Sequence, residues 1–217
     1  MQNKLMQKLL SVVPRDGALS PTDITAKIRS CVSNNNIKFI TQRSNITHVD
    51  QVLVGGTYDE YNDKEGDPYV EIILYYHPDQ QHLDVAKVDW TRVCFEITET
   101  IGHEMVHRDQ SNRKRKKIRG YVSRDTRVGQ RREQEYLGHP DEIEAYGFSI
   151  ALELVLLHQV KELDEVALGE IVMWNAYAQA FAEDQSVLVK LQKQIVKYLR
   201  RLEVPDNEKT NETTRTQ

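Results

Sequence analysis

Two periodicities divide this chain of 217 residues. Ser20-Pro21-Thr22-Asp23 joins an N-cap, a proline at the first helical position and an acid in the first turn, which predicts a helix over 21–31. Asn34-Asn35-Asn36 ends it. Three β-prone runs follow, at 37–41, 51–57 and 69–76, parted by polar stretches that include 62–68. They predict a small, mostly antiparallel sheet. From Asp89 the period becomes helical, with Val93, Ile97, Ile101 and Met105 on one face up to about His107. Pro140-Asp141-Glu142 opens a second strong helix over 140–160, and two more are predicted at about 170–182 and 185–202. Strands followed by helices, instead of alternating with them, give an α+β class.

Composition sharpens this picture little. Ten Gly and six Pro disfavour a sandwich of many tight turns. A mean hydropathy of −0.60 and the lack of any long apolar run predict a soluble chain without a membrane span. Residues 9–13 are too short an apolar stretch for a signal-peptide core. Cys31 and Cys94 are too few and too far apart for a disulfide framework or a cysteine metal cluster, which agrees with a reducing, cytoplasmic setting. The sequons at Asn45 and Asn211 are then accidental.

Charge matters more. The net value is −4, yet residues 108–132 carry +9 and the remainder −13. Arg113, Lys114, Arg115, Lys116 and Lys117 are consecutive cations. With no sustained apolar period, 108–132 is expected to be a long loop or a loop with short elements. A solvated surface is one reading of it; binding of an acidic protein partner or of nucleic acid is the other. With Tyr121 and Tyr136 as its neighbouring aromatics, a base-stacking platform has little support.

The chemistry lies on either side of that segment. His103-Glu104-Met105-Val106-His107 is an HExxH sequence. On a helix the two histidines are about 40° apart, so both imidazoles can reach one Zn²⁺. Glu104 projects beside them, where it can serve a water without binding the metal. Glu96 and Thr100 share that flank, expected to face a cleft, while Val93, Cys94, Ile97 and Ile101 face the core. A third ligand is required. On the second helix Glu142, Tyr146, Ser149 and Glu153 form a narrow polar stripe on an otherwise apolar cylinder, which makes Glu142 the best candidate; His139, Asp141 and Glu144 remain alternatives.

The pair His103-Glu104-x-x-His107 and Glu142-Ile143-Glu144-Ala145 resembles the gluzincin group of zinc metallopeptidases. In that group an HExxH helix is followed by a helix with Glu-x-x-Ala. The stretch from Tyr136 to Tyr146 also resembles small bacteriophage-encoded HExxH proteins, and the similarity covers about residues 100–151. The resemblance implies a zincin-like fold; periodicity and composition put N-terminal helices and sheet in 1–82, the metal-site helices in 83–160 and C-terminal helices in 161–203, as one domain over 1–203, and a disordered tail in 204–217. It implies His103, His107 and Glu142 as ligands of one Zn²⁺ and Glu104 as general base. The substrate would be a protein or peptide, met in a host cytoplasm or a virion if the chain is phage-encoded. Tyr146, Tyr136, Tyr121 or His139 would supply the oxyanion donor, and residues 69–76 the sheet edge that aligns substrate. The chain departs from the extended zincin pattern at Arg108-Asp109, and carries Tyr146 where a supporting acid often stands. A non-catalytic zincin-like protein, acting through its basic loop or as part of a virion, is the alternative.

Overall fold

The computed structural model describes residues 2–13, 16–32, 34–67, 69–114 and 130–203. The tail from 204 and most of the basic segment, including Arg115, Lys116, Lys117 and Tyr121, lie outside the described residues. The class is α+β, and the chain forms two compact units, Met1–Lys117 and Ile118–Gln217.

In the first unit, helices α1 (Gln2–Val12) and α2 (Pro21–Cys31) precede a sheet of β2 (Ile37–Arg43), β3 (Leu53–Tyr58) and β4 (Val70–Tyr76). Ser20 caps α2 as expected, its hydroxyl accepting from Asp23 N at 3.1 Å. A second, two-residue pairing joins β1 (Ala18–Leu19) to β5 (Leu83–Asp84), too short for any period to announce it. A short helix, α3 (Glu60–Glu65), connects β3 to β4.

The sheet is mixed. β4 lies in the middle, parallel to β2 and antiparallel to β3. The expectation that 69–76 is an edge is therefore corrected: it is the most continuous apolar run, with Val70, Ile72 and Leu74 buried, and such a strand gains most by pairing on both sides. β2 and β3 are the edges. Helices α1 and α2 pack with α4 (Trp90–Lys114) around one core, which joins Leu9, Ile28, Val70, Ile72, Cys94 and Ile97. Both cysteines are buried and free, and burial pushes the Cys94 thiol up to about 12.

α4 starts where predicted, with Asp89 Oδ1 accepting from Arg92 N at 3.0 Å. It does not end at His107 but continues through Lys114. The burial of Val106 and Gln110 sustains it past the point where the apolar period fades. The basic stretch, expected to be a long loop or a loop with short elements, is helical in its first turns through Lys114, and helical again from Gln130.

The second unit is helical: α5 (Gln130–Leu137), α6 (Pro140–Leu156), α7 (Glu165–Glu170), α8 (Val172–Ala180) and α9 (Gln185–Glu203). α6 is buried almost all round, as its composition requires. It meets α9 closely at Gly147, where a Cβ would collide with Gln194. The single helix expected at 170–182 begins instead with α7 and turns at Ile171, whose extended backbone (φ −86°, ψ 119°) separates α7 from α8.

Candidate metal centre

Helical spacing within α4 brings His103 and His107 together. Their Nε2 atoms are 3.2 Å apart, and the rings meet edge-on at 74° with centroids separated by 4.9 Å. Two nitrogens at corners of a tetrahedron around Zn²⁺, each about 2.0–2.1 Å from it, are about 3.3 Å apart. The imidazoles already hold that spacing. His103 is 8% exposed, and burial, with His107 beside it, pulls its pKa down to about 3. At neutral pH it is uncharged and keeps a lone pair for a metal.

The helix also carries groups around this pair. His107 Nδ1 lies 2.9 Å from Gln110 Oε1, and Glu99 Oε1 stands 4.0 Å from His103 Nδ1. Glu104 is buried as well. One residue beyond His107, Arg108 turns its guanidinium to Asp63 of α3, Nε lying 3.2 Å from each carboxylate oxygen, and stacks 4.4 Å over the Tyr69 ring. Tyr58 of β3 donates to the same carboxylate at 3.1 Å. Arg108, counted from sequence as part of a solvated basic segment, is a structural cation.

In the second unit Glu142 occupies the third position of α6 and is 3% exposed. Tyr136, on α5, hydrogen-bonds both Glu142 and Tyr146; burial and these partners raise its pKa far above the ordinary phenol, so it stays protonated as a donor. Tyr146 meets Tyr177 edge-on at 5.8 Å, and Tyr177 donates to the Leu137 carbonyl at 3.0 Å. These aromatic contacts brace the start of α6. His139 caps the helix, its Nδ1 accepting from Asp141 N at 3.3 Å. Glu144 accepts from Lys197 Nζ at 2.6 Å and Tyr198 OH at 3.3 Å.

Among the described residues, His103, His107 and Glu142 form a group that could hold a metal ion: each offers one ligand atom, and these atoms all lie within 4.8 Å of one another. His139, Asp141 and Glu144, the alternatives for the third ligand, do not belong to that group. Two imidazoles and a carboxylate suit Zn²⁺, and the nitrogen spacing fits it. Reading the sequence missed Gln110, although it sits three residues past His107 on the same helical face, where the wheel would have reached it. Asp63 gave no such signal, since nothing in sequence pairs it with Arg108. The described part of the basic stretch offers Arg113, exposed, its Nε donating to the Asp109 carbonyl at 3.2 Å. No helix among the described residues is long and apolar enough to cross a membrane. Searches of protein-family models, of curated proteins and of solved structures return no match to this chain.

Proposed function

We propose that this chain is a zinc-dependent metallopeptidase with a zincin-like active site. The observation that carries the proposal is the 3.2 Å Nε2–Nε2 spacing of His103 and His107 on a helix that also bears the buried Glu104. With Glu142 they would supply the three protein ligands that a catalytic zinc site requires. Bound there, Zn²⁺ would lower the pKa of a water toward about 7 and polarise a peptide carbonyl. Glu104 accepts the proton of the attacking water and returns it to the leaving amine, a role suited to a carboxylate that follows the first ligand directly.

Substrate alignment follows from the sheet. β3, an edge strand, packs against α4, so a peptide added along its outer side would extend beside the HExxH helix. Main-chain pairing gives affinity with little demand on side chains, in keeping with a peptide substrate.

The test combines metal analysis with proteolysis. Purified protein should contain one Zn²⁺ per chain, lost in His103→Ala. Glu104→Gln should keep the metal and lose peptide hydrolysis. Wild type without stoichiometric zinc overturns the proposal; a Glu104→Gln variant as active as wild type overturns the base assignment; and a zinc-loaded wild type that cleaves no peptide favours the non-catalytic reading.

A further inference from the structure

Resting on the metal-centre reading above, we propose that Gln110 is a positioning residue that fixes the tautomer of His107. A neutral imidazole carries one ring proton, and only the nitrogen without it can bind a metal. Gln110 Oε1 lies 2.9 Å from His107 Nδ1. An amide oxygen only accepts, so Nδ1 carries the proton and Nε2 is left bare. That bare nitrogen is the atom 3.2 Å from His103 Nε2.

Burial makes the bond consequential. Gln110 is 4% exposed, so bulk water does not stand in for its amide, and a glutamine is held in the interior only where its polar atoms are met. Both residues lie on one face of α4, three positions apart, so the helix itself sets their distance. Glu99, one turn before His103, is 4.0 Å from that imidazole, beyond a hydrogen bond. A neutral amide also fixes the proton without adding another negative charge to a helix face that already holds Glu99. Removing Gln110 takes away the acceptor that favours a proton on Nδ1, and a proton on Nε2 would block the ligand position.

Gln110→Met and Gln110→Glu separate this role from packing, since the first keeps volume without an acceptor and the second keeps an acceptor. In metal-free protein at neutral pH, ¹⁵N shifts of His107 should report the Nδ1–H form in wild type and Gln110→Glu, and a shift toward Nε2–H in Gln110→Met. Zn²⁺ affinity, read by chelator competition, should fall about 10–100-fold in Gln110→Met and stay within a few-fold in Gln110→Glu. Wild type showing Nε2–H at His107 overturns the proposal and needs no variant. Equal losses in both variants overturn it too, because they mark a packing effect, as does wild-type affinity in Gln110→Met. A wild type that takes up no Zn²⁺ overturns the metal-centre reading itself, and with it this role.

Discussion

Gly56 of β3 lies so close to Thr100 of α4 that a Cβ on the glycine would collide with the threonine Cγ2. This contact seats the edge strand on the helix that holds the histidines, three residues before His103. Gly56→Ala should therefore destabilise the first unit by about 1–3 kcal/mol, since neither backbone can shift freely. Thr100→Ser removes the obstructing methyl. Denaturant unfolding of the two single variants and the double variant should show the double recovering part of the loss; strict additivity would mean that strand and helix do not meet as described.

Arg108 and Asp63 join α3 to α4. The Asp63 side chain is 7% exposed and Arg108 32%, so the pair is partly shielded. Removing the guanidinium leaves a buried carboxylate that, among the described residues, accepts from the Tyr58 hydroxyl. Arg108→Ala should cost about 1–3 kcal/mol, and Arg108→Lys should recover little, because a lysine can neither bridge two oxygens in the same plane nor stack on Tyr69. Thermal unfolding checks both.

Tyr136 can be assigned by separating metal binding from turnover. Its hydrogen bond to Glu142 predicts that Tyr136→Phe weakens Zn²⁺ binding about 10-fold or more, as loss of a donor to a charged group does. If Tyr136 instead stabilises the transition state, kcat falls while zinc affinity holds. Chelator competition and peptide hydrolysis on the same variant distinguish the two.

Asp50 predicts an acid limb in stability. Its backbone is left-handed, at φ 58°, and its carboxylate accepts from Asp84 N at 3.0 Å and from Gln80, with Lys87 Nζ 3.6 Å away. The Asp84 amide is the first cause holding its pKa below 3.8, and Gln80 and Lys87 add to it against the opposing effect of burial. The folded state thus binds fewer protons than the unfolded state, so this stabilisation is full above pH 3.8 and is lost as pH falls through the depressed value. Asp50→Asn should be about 1–2 kcal/mol less stable at pH 7, and its deficit should narrow on acidification below 3.8. A deficit independent of pH would disprove the linkage.

The local pattern determined much of this protein by itself. Capping residues and apolar spacing located the start of α2, the three sheet strands and the start of α4, because caps and periods act within a few residues. The same locality made His103, Glu104 and His107 legible: four residues bring a side chain back to the same face of any helix. Glu142 could be ranked over its neighbours because a lone polar stripe on an apolar helix must be buried with it.

Tertiary structure decided what depends on partners distant in sequence. It made β4 central, since strand order is set by which apolar face can be covered on both sides. It carried α4 past the fading of its own period by burying Val106 and Gln110. It turned Thr100 toward Gly56, although its position on the wheel suggested a cleft, and it took Arg108 out of the basic segment by offering it Asp63, 45 residues earlier. Composition fixed the charges; only the fold could choose their counterparts, because an ion pair or a close backbone approach needs two segments that the sequence keeps apart.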